Sequence, residues 1–141
     1  MERLHNERGN DMPIYSENSK RLLRGCDDRL NLIFNNVIYW VDVKIVSGHR
    51  GRIEQTRLFD QKKSKKRYPD SKHNVYPSIA VDFAPYPIEW KDIGRFIFVA
   101  GRIFQIADSL GIRIRWGGDW DSDGRQTNET FRDFGHIELI D

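Results

Sequence analysis

Ile79-Ala80-Val81-Asp82-Phe83, closed by Pro85 and Pro87, is a short apolar run interrupted by a single carboxylate. It reads as a strand bounded by turn-forming prolines. The stretch that follows, Trp90–Leu110, carries the strongest helical signal in the chain. Ile93, Phe96, Ile97, Ala100, Phe104 and Ala107 recur along one face, and Val99, Ile103, Ile106 and Leu110 widen it. An apolar stripe this broad predicts a central helix, with Gly111 as its stop. Ile112-Arg113-Ile114-Arg115-Trp116 then returns to strict alternation, the period of a half-buried strand.

Upstream, Val41-Asp42-Val43-Lys44-Ile45-Val46-Ser47 alternates in the same way and ends at Gly48. Before it, Leu22, Leu23, Cys26, Leu30, Ile33, Phe34 and Val37 form one helical stripe behind a cap at Ser16 or Ser19, with a break near Gly25. Arg52–Lys63 has helical character, and Arg67–Ser78 is a loop containing Pro69 and Pro77. Downstream, a Gly/Asp-rich loop runs from Gly117 to about Asn128, and His136-Ile137-Glu138-Leu139-Ile140 is a last strand. The connections are too brief for repeated parallel crossovers. The expected class is therefore α+β, a small, mainly antiparallel sheet packed against helices. Residues 1–13 read as a loose polar lead-in and residues 14–141 as one domain.

Composition narrows the function classes. The 141 residues suit one domain with a respectable core. The single cysteine, Cys26, cannot form an internal disulfide, which excludes a cystine-stapled miniprotein. No unbroken apolar stretch is longer than Phe96–Ala100, which excludes membrane insertion by a helix. Met1–Arg8 lacks the apolar run of a secretory signal, so the expectation is a chain made in a reducing compartment. The net charge of +2 is unevenly spread, with +5 in residues 1–70 and −3 in residues 71–141. The excess is concentrated in Lys62-Lys63-Ser64-Lys65-Lys66-Arg67. Such a block reads either as a solvated loop or as a surface for nucleic-acid phosphate or an anionic envelope polymer.

Three of the four histidines, His49, His73 and His136, fall at loop or strand edges, where sites on such folds are assembled. A catalytic zinc site takes three His, Asp, Glu or Cys ligands. Asp82 stands in an otherwise apolar run, and a buried carboxylate without a partner is costly, so a metal would answer that cost. Residue types alone leave open which aspartate is a ligand and which a base. A second candidate is Asp119-Trp120-Asp121-Ser122-Asp123-Gly124, whose carboxylates at alternate positions followed by Gly reproduce the first half of a calcium loop. The second half departs from that pattern, with Thr130 where a calcium loop has Glu and Glu129 one place early.

Taken together, Ser47-Gly48-His49-Arg50, Glu54-Gln55, Ser71-Lys72-His73-Asn74, Ala80-Val81-Asp82 and Asp133-x-x-His136-x-Glu138-Leu139 resemble the LAS-type zinc peptidases of peptidoglycan. More narrowly they are similar to single-domain phage endolysins with L-alanyl-D-glutamate endopeptidase activity, and Trp116-Gly117-Gly118-Asp119-Trp120 is typical of that subgroup. The resemblance implies a zinc peptidase catalytic domain over residues 14–141, with the zinc site at the sheet edge. It implies His73, Asp82 and His136 as zinc ligands, Asp133 as general acid/base, and Arg50 and Gln55 as substrate-binding residues. Arg50 would also share the charge of the developing oxyanion. The chain departs from the family pattern at His49, where Tyr is frequent, and at Gly135, where Pro is common. Peptidoglycan is then the partner, with no nucleic acid, and zinc the cofactor, with calcium as a second ion at Asp119, Asp121 and Asp123. The implied life is that of a monomer held in the host cytoplasm until lysis, then acting on the wall. A D-alanyl-D-alanine carboxypeptidase on the same scaffold, and a non-enzymatic basic binding module, are the competing readings. Trp120 is expected to be the most exposed of the four tryptophans.

Overall fold

A computed structural model describes residues 4–5, 11–125 and 132–141. Two short strands, β1 (Leu4–His5) and β2 (Asp11–Met12), pair antiparallel, so part of the expected lead-in carries a small ladder; its residues 1–3 and 6–10 lie outside those described. Helix α1 (Glu17–Arg24) starts at Ser16, whose side chain accepts the Ser19 N–H at 3.2 Å. The expected break at Gly25 is present, and α2 (Asp28–Trp40) begins behind Asp27, which caps it through the Arg29 N–H. Strand β3 (Val43–Ser47) follows, then α3 (Arg52–Asp60) and a single-turn 3-10 helix at Lys72–Asn74. Strand β4 (Ala80–Pro85), helix α4 (Ile93–Ser109), β5 (Ile114–Trp116) and β6 (His136–Leu139) complete the chain.

Strands β3 to β6 form one antiparallel sheet in the order β3-β4-β6-β5. The period of two sorts most of its side chains, with Ala84, which joins the core from the alternate positions of β4, as an exception. Val43, Ile45, Val81, Phe83, Ile114, Trp116, Ile137 and Leu139 join the core cluster with α2 and α4. The alternate positions, Asp82, His136, Glu138 and Arg115, are absent from that cluster and lie on the opposite face. Buried apolar surface therefore fixes the register, since a slip of one residue would exchange the two faces.

Several boundaries differ from the sequence expectations, each for a local reason. Val41 ends α2, its N–H bonded to Val37 O at 3.0 Å, so β3 starts two residues later than expected. Asp92 caps α4 by accepting the Arg95 N–H, which leaves Trp90 outside the helix, stacked on Phe96. The buried stripe of α4 is also rotated. Val99, Ile103 and Ile106 are at its centre, while Phe104 is partly exposed.

Candidate metal centre

Asp82 and His136 are register partners on the two inner strands, β4 and β6. The centre thus sits where the ladder between those strands ends rather than on an outer strand. His73 arrives from the 3-10 turn, whose N-terminus is closed reciprocally: Ser71 Oγ accepts the His73 N–H, and Asn74 Oδ1 accepts the Ser71 N–H. Asp82 Oδ1 lies 3.2 Å from His73 Nε2 and 3.0 Å from His136 Nδ1. One donor atom from each of the three residues falls within 4.8 Å of the others. Two nitrogens and a carboxylate oxygen are a donor set that zinc accepts.

Each donor is fixed from behind. His73 Nδ1 is 2.7 Å from Gly48 O, a carbonyl that can only accept, so Nδ1 carries the proton and Nε2 is left to face the centre. His136 Nε2 is 2.9 Å from Glu138 Oε1, which leaves Nδ1 facing the centre. Glu138 is buried and is held in turn by Arg115, its register partner on β5, at 3.3 Å. Asp82 Oδ2 accepts from Arg50 Nη2 at 2.8 Å. The residues present therefore fit a zinc ion: two buried imidazoles and a half-buried carboxylate converge, with their remaining valences satisfied.

The electrostatics agree with this grouping. Burial alone would raise Asp82, but the imidazoles of His73 and His136 outweigh it and hold the carboxyl well below the usual carboxylate range. Burial would lower His136, yet its hydrogen bonds to Asp82 and Glu138 push it up to about 9. Burial would likewise raise Glu138, but its bond to His136 and the nearby cations leave it below its ordinary value. Asp133 moves the other way: burial, then the negative charge of Asp82, raises it.

Asp133 begins the turn that leads into β6, with the His136 N–H bonded to Asp133 O at 3.1 Å. Trp116 Nε1 pins that turn through Phe134 O at 2.8 Å. Asp133, His73, His136 and Arg50 line one cavity of about 490 Å³. Trp120 also lines it, its ring 5.3 Å from that of His136. Trp120 is only half-buried, whereas Trp40 and Trp90 are the exposed tryptophans, which corrects the expectation for Trp120. His49 packs edge-on against Tyr76, their ring centroids 5.0 Å apart.

Arg50 is gripped on three sides. Its Nε donates to Ser47 Oγ at 3.0 Å, Nη1 to Gln55 Oε1 at 3.1 Å and Nη2 to Asp82. A register shift between Ile45 and Ser47 sets Ser47 opposite Asp82, where it can take part. Gln55 itself is fully buried. Its amide nitrogen donates to Ser64 Oγ at 2.8 Å and Lys66 O at 2.7 Å, and its oxygen accepts from Arg50 and Asn74. Gln55 is thus a buried junction under the cavity wall, not a substrate contact as the sequence suggested.

Asp119, Asp121 and Asp123 do converge. Their oxygens, however, accept backbone N–H groups of the same loop: Asp119 from Asp123 and Gly124, Asp121 from Asp123, and Asp123 from Arg125. The turn accounts for the convergence, and nothing supports the expected calcium there. Glu129 and Thr130, and the end of the expected loop at Asn128, lie outside the described residues.

Sequence reasoning did not single out Glu138 or Arg115 as parts of the centre. The available signal was the alternation in β6, which puts an acid two residues from His136 on the same face of an otherwise apolar strand.

The family model for phage L-alanyl-D-glutamate peptidases matches residues 14–140. The chain belongs to that family. Among its relatives is the L-alanyl-D-glutamate peptidase of Escherichia phage T5, 40% identical over 67 residues, or 43% of this chain and 49% of that protein. The match thus spans about half the length of the phage relative. Peptidoglycan L-alanyl-D-glutamate endopeptidase CwlK of Bacillus subtilis is 28% identical over 145 residues, covering 92% of this chain and 78% of that one. The crystal structure of Serratia marcescens L-Ala D-Glu endopeptidase ChiX shares the fold, with a TM-score of 0.71 at 22% identity over 90% of each chain. Among the described residues no helix is long and apolar enough to cross a membrane.

Proposed function

We propose that this member of the family is a zinc-dependent endopeptidase that hydrolyses the L-alanyl-D-glutamate amide of peptidoglycan stem peptides, in the manner of a phage endolysin. The observation that carries this reading is the convergence of His73 Nε2, Asp82 Oδ1 and His136 Nδ1, beside a cavity lined by His73, His136 and Asp133. Family membership and the activities after which the phage T5 and Bacillus subtilis relatives are named support this substrate.

His73, Asp82 and His136 would hold the ion. Bound there, zinc supplies a Lewis acid that polarises a carbonyl and makes water more acidic. Asp133 takes a proton from the attacking water and returns it to the departing D-glutamate nitrogen as the C–N bond breaks. Its raised pKa suits a group that must both accept and give back a proton. Arg50, fixed by Ser47, Gln55 and Asp82, keeps Asp82 Oδ1 turned to the imidazoles and adds positive charge to the wall where the carbonyl oxygen becomes negative. In a phage, such an enzyme waits in the host cytoplasm and reaches the wall at lysis.

The test is zinc content and product analysis on digested cell wall. The native chain should carry one zinc and release new D-glutamate amino termini. Asp133→Asn should keep the zinc and lose about 10²–10⁴-fold in kcat. Asp82→Ala should lose the zinc. Release of free D-alanine instead would assign the carboxypeptidase reaction, and activity indifferent to chelators would remove the zinc mechanism.

A further inference from the structure

The Lys62–Arg67 block is not a freely solvated loop. Lys63 N and Ser64 N both bond Leu58 O, at 2.9 and 3.1 Å, and Ser64 Oγ accepts the Lys66 N–H at 3.2 Å. Gln55, buried beneath, holds the segment through Ser64 Oγ and Lys66 O while its other end holds Arg50. One buried side chain therefore ties the basic segment to the residue that grips Asp82. Arg67 is drawn off onto the Phe59 ring, 4.7 Å from its centroid. Lys63, Lys65 and Lys66 line the same cavity as His73, His136 and Asp133, and Lys72 joins them from the 3-10 turn.

The charge on that wall is lopsided. Six cationic side chains face the cavity against three carboxylates, Asp70, Asp133 and Glu138. Arg50 and Arg115 are engaged by Asp82 and Glu138. The formal excess of this lining is therefore carried by its lysines, and it lies at the cavity that His73, His136 and Asp133 share. A substrate suited to this wall carries negative charge close to the bond that is cut. In a peptidoglycan stem the D-glutamate continues the chain through its γ-carboxyl. Its α-carboxylate is then borne by the same carbon as the scissile nitrogen. Walls differ in whether that group is left as a carboxylate or converted to a carboxamide.

We propose that Lys63, Lys65, Lys66 and Lys72 form a carboxylate-recognising wall of the active-site cavity, selecting stem peptides whose D-glutamate α-carboxylate is free over those in which it is amidated. This rests on the endopeptidase reading above and gives it a specificity. Recognition is charge-assisted, and the side chains are solvent-facing, so the preference weakens as salt rises.

Two synthetic peptides test it, L-Ala-γ-D-Glu-L-Lys-D-Ala and the same peptide with the α-carboxamide. The native zinc-loaded chain should cleave the carboxylate form with roughly tenfold higher kcat/KM, the size of one charge-assisted contact. The triple variant Lys63→Gln, Lys65→Gln, Lys66→Gln should bring the ratio toward one by losing rate on the carboxylate form alone. Lys72→Gln, a single exposed change, should reduce the ratio in the same direction and guards against misfolding of the triple variant. Equal cleavage of both peptides by the native chain, or an unchanged ratio in both variants, overturns the proposal. Weaker binding of the variants to intact wall at an unchanged peptide ratio also overturns it, in favour of general attraction to an anionic wall polymer. Cleavage of neither peptide overturns the endopeptidase reading itself, and the proposal with it.

Discussion

Gly117 and Gly135 govern how Asp133 is held. A Cβ added at Gly117 would run into the Asp133 carbonyl oxygen and come within 2.9 Å of its Cβ. The backbone there is bonded both ways, Asp133 N–H to Gly117 O at 2.8 Å and Gly117 N–H to His136 O at 2.9 Å. Gly117→Ala should therefore shift Asp133 without touching any metal donor. The expected result is a stability loss of about 1–3 kcal/mol from overpacking and a fall of about 10²-fold in kcat, with zinc content unchanged. Peptide turnover, thermal unfolding and zinc analysis check it, and native-like turnover would show that Asp133 is held some other way. Gly135 is a similar case: a Cβ there would meet Phe83 O, and the Phe83 N–H bonds Gly135 O at 2.8 Å. The family pattern favours Pro at this position, and the structure shows that glycine lets the turn press directly on β4. At this scale His73, Asp82 and His136 were legible because an ordered set of short motifs contains them. Gln55 was misread because its four bonds join segments that no local pattern connects.

The end of α3 shows what an element-level pattern conveys and omits. Helical character persists in sequence to Lys63, but α3 stops at Asp60. The stop is a reciprocal pair of bonds, Lys62 N–H to Phe59 O at 3.0 Å and Lys63 N–H to Leu58 O at 2.9 Å. The motif places Lys62 in the left-handed region, at φ 60°, where glycine is the usual occupant. Nothing in a run of lysines announces such a turn, so the sequence offers no reason to expect the segment to fold back toward the site. Lys62→Gly should relieve the left-handed strain at some cost in chain entropy, for a net gain of about 0.5–1 kcal/mol. Denaturant midpoints read this out, and a midpoint at or below the native one would mean that the turn is not strained. The strands and long helices were far more legible, because alternation and the three-to-four spacing report burial directly. Their ends moved where a cap intervened, as at Asp92 and Val41.

Across the whole molecule, folding and the assembly of the centre are one event. The apolar face of the sheet packs on α2 and α4, and the same pleat turns Asp82, His136, Glu138 and Arg115 to the other side. His73 reaches them only because the 3-10 turn is docked through Gly48 O and Asp82. An unfolded chain cannot offer these donors together, since they come from segments far apart in sequence. An ion held by all three must therefore bind the folded state alone, and it stabilises that state by mass action. Zinc at a thousandfold over its dissociation constant would add about 4.1 kcal/mol, which for a domain of this size raises Tm by about 10 °C. Chelation should remove that increment and leave a lower but still cooperative transition, because the core on the opposite face needs no metal. Asp82→Ala should melt at one temperature with or without added zinc. If the native chain also melts at one temperature under both conditions, the three donors do not hold an ion. The geometry would then describe only a polar cluster, in which the hydrogen bonds to the two imidazoles and to Arg50 answer the cost of Asp82 by themselves.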